Sequence, residues 1–345
     1  MTPDITPRGP VSDALLSALR TEAAPDSPAM RTVVDEVDRA LAAEPDLLTD
    51  EDLQLFLFVV YGLSYGDTVD ADGEWEWDPQ LVLARRRVER VYEAQLRERI
   101  PLDDLPAPDA EAVAAYLFEL TAEDGGPSLS RYIAKKADHD QVREFVIQRS
   151  IYTRKEADPH SWAIPRLTGR AKAALVEVQS DEYGAGRPHR IHAEIFARTM
   201  RGLGLDDTYG AYVDQVPAIT LASFTAMSMF GLNRRLRGAI AGHLAAFEMT
   251  SSIPNRFYGN GFRRLGYGED VTEYYDEHVE ADAVHEQIAG RDLAGGLAEQ
   301  HPDLLPDIIF GAKTCLYVDG LAGAHLLESW QAGRSSLRHR EQVPA

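Results

Sequence analysis

The stretch VTEYYDEHVEADAVHEQIAGRDLAG, residues 271–295, decides how the rest of the chain is read. Its apolar and small residues recur at helical rather than alternating period. On a helix that turns about 100° per residue, His278, Asp282 and His285 (i, i+4, i+7) fall within roughly 60° of one another. Val279, Ala283 and Val284 flank that stripe with small apolar groups, so the face can be buried, while Glu277, Glu280 and Glu286 can point to solvent. Two imidazoles and a carboxylate on a buried stripe are costly without a cation to coordinate. Taken alone, the stretch also fits a solvated acidic helix, because charge runs usually are solvated faces. The choice turns on whether other segments supply groups of the same kind.

Two do. Thirty residues upstream, Glu248 stands in GAIAGHLAAFEMTSS (238–252), a stretch otherwise built of Gly, Ala, Leu and Phe. A carboxylate there is either near a helix end or buried with a partner, and the small residues let neighbouring helices approach closely. His243 lies five residues away, about 140° around the same helix, and reads as a satisfied core or supporting histidine. The third segment is VEVQSDEYGAGRPHRIHAEIF (176–196). Its glycines and Pro188 predict a break, so Glu182 cannot be phased with His189 or His192 as one ideal helix. Periodicity slightly prefers His189; the break makes that preference weak.

The remainder is helical in pattern. SPAMRTVVDEVDRALAAEP (27–45) opens on Ser27 and Pro28 and stops before Pro45, as a capped helix does. TDEDLQLFLFVVYGLSYGD (49–67) has Thr49 as its expected N-cap with Asp52 in the first turn, and DPQLVLARRRVERVYEAQLRERI (78–100) is amphipathic with a cationic face. SLSRYIAKKADHDQVREFVIQRSIYTRKEADPH (128–160) is long and predicted to break near Ala137. No β-rich segment, internal repeat or low-complexity tract stands out, so the expected fold class is all-α, a helical bundle. The expected organisation is a loose arm at 1–28, an N-terminal helical region at 29–125 packing on the core, the core at 126–335 and a tail at 336–345.

Bulk properties narrow the functions. A chain of 345 residues with net charge −21 is a poor partner for nucleic acid or an anionic membrane surface. No run of eighteen apolar residues and no leader-like N-terminus is present, so a cytoplasmic location is expected. The single cysteine, Cys315, cannot form an internal disulfide, removes thiolate metal sites, and lies in an apolar stretch where a buried structural thiol is expected.

Counted together, Glu182, His192 or His189, Glu248, His278, Asp282 and His285 offer imidazole and carboxylate ligands without thiolate, a donor set suited to iron or manganese. Helical bundles hold paired metals with such inward-facing groups, although the doubled Glu-x-x-His of ferritin-like proteins is absent here. These residues resemble those of the haem-oxygenase-like di-iron oxidases and oxygenases, the group described as iron-containing redox enzymes. That family's third core helix carries His-x-x-x-Asp-x-x-His, here His278, Asp282 and His285; its second carries one glutamate, here Glu248. Its first carries a glutamate followed by a histidine in a DEYG-x-G setting, here Glu182 and, ten residues on, His192.

The resemblance covers roughly residues 130–335. It implies a haem-oxygenase-like bundle, six metal ligands (Glu182, His192, Glu248, His278, Asp282, His285), two Fe2+ ions, O2 as co-substrate and no separate organic cofactor. It further implies oxidation of a small organic substrate by N-oxygenation, desaturation or oxidative C–C cleavage, acting on an amine, amino acid or fatty acid. Some members have a further carboxylate from upstream, and Glu156 occupies a comparable place, although beside Arg154 and Lys155 it equally fits a surface glutamate. Helix phase does not assign ligands to metals; one division gives Glu182, His192 and His278 to one iron and Glu248, Asp282 and His285 to the other. A homodimer is expected, with the helices before residue 125 shaping a substrate pocket or its interface.

Arg234, Arg235 and Arg237 could clamp a substrate carboxylate but read better as solvent-facing. Phe247, Tyr183, Tyr274 and Tyr275 could line a pocket, with core packing the blander role. A haem protein on the same bundle needs one axial histidine and leaves three carboxylates unexplained. A metal-storage or scaffold protein would favour further carboxylate clusters, and none stands out.

Overall fold

The computed structural model describes residues 3–24, 27–66, 68–122 and 128–338, without the side chains of 280–284. Its described residues form helices and turns and contain no strand. Two compact units are present, one of residues 1–99, 208–225 and 337–345, the other of residues 100–207 and 226–336.

The first unit holds α1 (Pro10–Leu19), α2 (Pro28–Ala42), α3 (Glu51–Tyr65) and α4 (Pro79–Arg99). Within the stretch expected to be a loose arm, α1 is a regular helix that buries Val11, Leu15, Leu16 and Leu19. Its exposed N-terminal amides are satisfied from another helix: Asp52 accepts from Val11 N at 2.8 Å and from Ser12 N at 2.7 Å. The N-cap of α3 is Asp50 rather than Thr49, its carboxylate accepting from Leu53 N at 2.8 Å. Asp and Thr both cap well, and the aspartate one residue later has the right reach. α3 is apolar all round and buries every residue from Leu53 to Gly62, which makes it the centre of this unit. On α4, the cationic face is partly neutralised by the fully buried Glu89, which receives Arg86 at 2.7 Å and the Tyr61 hydroxyl at 3.1 Å.

The second unit holds α5 (Ala110–Ala122), α6 (Leu129–Lys135), α7 (His139–Thr153), the short α8 (Asp158–Ser161), α9 (Gly169–Glu182) and α10 (His192–Gly202). α11 (Ala218–Leu232) begins in the first unit, and α12 (Arg237–Arg264), α13 (Glu269–Gln287), α14 (Gly296–Gln300) and α15 (Leu305–Gln331) complete the second. The expected break near Ala137 separates α6 from α7. α12 runs on through Pro254. Pro254 lacks the amide that would bond Thr250 O, and one lost bond in a helix of 28 residues is tolerated where packing holds both halves. Between α13 and α14, residues Ile288–Gly295 form a π-helix, the wide i to i+5 form that is often found at functional sites.

α12 packs along α15 and α13, and its small residues set the approach. A Cβ at Gly242 would overlap Ile308 O of α15, and one at Gly311 would overlap Ala239 O of α12, so the two backbones meet where only glycine fits. Cys315 on α15 is buried, as expected of a structural thiol. No helix among the described residues is long and apolar enough to cross a membrane.

Gly242→Ala is expected to cost about 1–3 kcal/mol through overpacking and to lower the thermal midpoint by several degrees. Gly320→Ala on α15, where a Cβ meets nothing, is expected to leave the midpoint unchanged or slightly raised. Thermal melts of the two variants provide the comparison.

Candidate metal centre

Glu182 is the last residue of α9 and His192 the first of α10, and the nine residues between them form a tight reversal. Gly184 adopts φ 67°, a left-handed conformation, and a Cβ there would meet the backbone of Arg190 and Ile191 at 2.6–2.7 Å. Glycine is therefore required on both steric counts. Ala185 and Gly186 are also left-handed, at φ 49° and 77°. The reversal returns His192 Nδ1 to within 3.0 Å of Glu182 Oε2 and leaves His189 exposed outside the site.

α13 brings His278 and His285, and α12 brings Glu248 from its small-residue half. Glu156, in the turn after α7, is buried and joins them. Two groups result: Glu156, Glu182, His192 and His278, and Glu182, Glu248 and His285, the ligand atoms within each lying no more than 4.8 Å from one another. Glu182 is common to both. The side chain of Asp282 lies outside the described residues. Glu277 pairs with Arg190 at 2.5 Å at the surface, as the helical phasing predicts.

Each imidazole on α13 has one nitrogen facing the site and the other tied elsewhere. His278 Nδ1 lies 2.7 Å from Tyr274 O and therefore carries the proton, leaving Nε2 toward Glu156 Oε1 at 3.5 Å. His285 Nδ1 lies 3.4 Å from Glu248 Oε2, and its Nε2 lies 2.9 Å from Asp181 Oδ2. The Tyr274 hydroxyl donates to Glu156 at 2.7 and 2.8 Å to its two oxygens, so Tyr274 holds Glu156 with its side chain and His278 with its backbone.

The enclosed space has a volume of about 20 Å³, room for one water-sized molecule. Tyr152, Phe247, His160 and Gln179 complete its walls beside the carboxylates, and no lysine or arginine lines it among the described residues. Tyr152 and Phe247 pack ring against ring at 5.0 Å. His243 is a supporting histidine, its Nδ1 3.2 Å from His160 Nε2. Burial lowers His160 to about 4 and His243 well below its usual value, so this pair is neutral at physiological pH.

Burial opposes charge on Glu182, His192, Glu248 and His285. Burial pushes Glu182 up, but His192, then His278 and His285, outweigh it and bring its carboxyl down to about 2. Burial pushes His192 down and Glu182 overrides it, leaving His192 raised. Glu248 is raised, chiefly by burial, with His285 opposing. His285 is raised to about 9, first by its hydrogen bond to Glu248 and against its own burial.

The donor set fits divalent iron. Three carboxylates and three imidazoles converge without thiolate, and Glu182 Oε2 and His192 Nδ1, though 3.0 Å apart, are buried with no hydrogen bond of acceptable geometry. Buried polar atoms in that condition are rare unless an ion or water satisfies them.

Of the other residues singled out from sequence, Arg234 and Arg235 are exposed and Arg237 half-buried, and none lines the cavity. Tyr275 packs on Phe262 at 5.1 Å, and Tyr183 bonds Ser161 at 2.8 Å and Asp158 at 2.9 Å. Sequence reasoning missed Asp181 and the double role of Tyr274. The second had a signal, since Tyr274 is four residues before His278 and offers it the carbonyl one turn back; Asp181 had none, because its partner is on another helix.

Comparison with known proteins agrees with this architecture. The family model described as iron-containing redox enzyme matches residues 143–320, and the chain belongs to that family. It is thus an oxidoreductase with the all-α, haem-oxygenase-like fold. A nitrosourea synthase from Streptomyces achromogenes subsp. streptozoticus is 26% identical over 209 residues, covering 59% of this chain and 44% of that protein. This chain therefore spans less than half the length of that relative. A crystal structure of a CADD-like protein of unknown function from Nostoc punctiforme PCC 73102 aligns with TM-score 0.49 and 15% identity, over 68% of this chain and 99% of that one.

The metal-free centre makes stability depend on pH in a defined sense. With a folded value of about 9 against 6.5 unperturbed, His285 contributes stability that is fully present below about pH 6.5 and lost as pH rises through about 9. In the presence of a chelator, the thermal midpoint is expected to fall between these limits, and His285→Gln is expected to remove that part of the fall. An unchanged fall in His285→Gln would contradict the assignment.

Proposed function

We propose that this centre binds two ferrous ions and uses O2 to oxidise a small organic substrate. Glu156, Glu182, His192 and His278 would hold one iron, and Glu182, Glu248 and His285 the other, with Asp282 joining the second group on the strength of its spacing. The observation that carries the reading is the pair of ligand-competent groups sharing Glu182 in one buried pocket. Bound iron would supply the electrons for reducing O2.

The chain's own side chains set the conditions for that chemistry. Tyr274 keeps Glu156 and His278 facing the pocket, so two ligands are oriented before a metal arrives. Tyr152, Phe247 and the neutral His160, which is paired with His243, give the pocket walls that add no charge.

Among N-oxygenation, desaturation and oxidative C–C cleavage of amines, amino acids or fatty acids, the name of the nitrosourea synthase relative favours nitrogen as the atom oxidised.

Anaerobic Fe2+ titration with an O2 electrode tests the proposal. Wild-type protein is expected to bind two irons per chain and to consume O2 faster with a suitable amine. Glu182→Ala, which removes the shared carboxylate, is expected to lose both irons, and His285→Ala only one. Two tightly bound irons and normal O2 consumption in Glu182→Ala would overturn the assignment.

A further inference from the structure

The outward nitrogens of the two α13 histidines are anchored differently, and the difference singles out Asp181. His278 is anchored by the carbonyl of Tyr274 on its own helix, a partner that no side-chain substitution removes. His285 is anchored across the bundle by the Asp181 carboxylate on α9, at 2.9 Å from Nε2. Asp181 has 56% of its side chain exposed. Surface aspartates seldom matter to function or stability, and one placed against a buried imidazole is an exception.

Resting on the reading above, we propose that Asp181 is the positioning residue for His285. Its carboxylate accepts a hydrogen bond from Nε2–H, which keeps that proton in place and makes Nδ1, the nitrogen beside Glu248, the one free to give up its proton to a metal. Without that acceptor, the imidazole can place its proton on either nitrogen, and its ring loses the contact that sets its rotation. Carboxylates that hold a ligating histidine in this way raise its basicity and its affinity for the metal, and removing them costs about 10- to 100-fold in binding. Asp181 also precedes Glu182 directly, so the end of α9 serves the centre twice, once by contributing a ligand and once by orienting a ligand on α13.

The test is anaerobic competition of the protein with a chromophoric chelator for Fe2+, which reads binding without turnover. Asp181→Ala is expected to weaken one of the two binding steps about 10- to 100-fold and leave the other unchanged. Glu177→Ala, an exposed acidic position four residues earlier on α9, controls for loss of surface charge and is expected to bind as wild type does. In the His285→Ala background, Asp181→Ala is expected to have no further effect, because the residue acts through the imidazole. Wild-type affinity in Asp181→Ala, or an equal loss in the His285→Ala background, would overturn the inference while leaving the di-iron reading intact. A wild-type chain that binds no iron would overturn both.

Discussion

The Glu182 carboxylate, buried beside His192 and within ligand distance of both groups of residues, is the constraint around which the second unit is arranged. An isolated carboxylate in a protein interior is untenable, and three of them close together are worse, so the surroundings must supply positive charge or protons. In the metal-free chain the histidines do this, holding Glu182 ionised to about pH 2, with His192 raised in turn and His285 raised to about 9. On the proposed reading the metals take over that work, and the protons on the imidazoles are what they displace.

Much of the backbone follows from bringing these groups to one place. The left-handed turn at Gly184 folds the end of α9 against the start of α10, and the glycines at 242 and 311 let α12 lie against α15 at backbone contact. Glu248 is carried on that same close-packed half of α12. On α13, one tyrosine orients a carboxylate through its hydroxyl and a histidine through its carbonyl. The helix then passes directly into a π-helix, whose wider turn shifts the phase of everything that follows.

The sequence made the helical class legible because the apolar period was helical almost throughout, and the family resemblance added the haem-oxygenase-like type. The break at 183–191 was legible from its glycines and Pro188, but not its consequence: which histidine returns to Glu182 depends on backbone angles that residue types only permit. His189, preferred by periodicity, is exposed, whereas His192 is buried at the site. Glu156 could not be distinguished from a surface residue, because the partner that holds it, Tyr274, is more than a hundred residues away. The helix at 10–19 was missed for a similar reason, since its N-terminal amides are satisfied by Asp52 from another helix. Contacts between segments distant in the chain decided each of these, and no local pattern encodes them.

Electron paramagnetic resonance combined with Mössbauer spectroscopy of the iron-loaded protein after exposure to O2 bears most directly on the central claim. Two irons sharing Glu182 should couple magnetically and give a diferric state silent in electron paramagnetic resonance, with Mössbauer doublets accounting for all the iron. An isolated high-spin ferric signal accounting for most of the bound iron would contradict a shared centre.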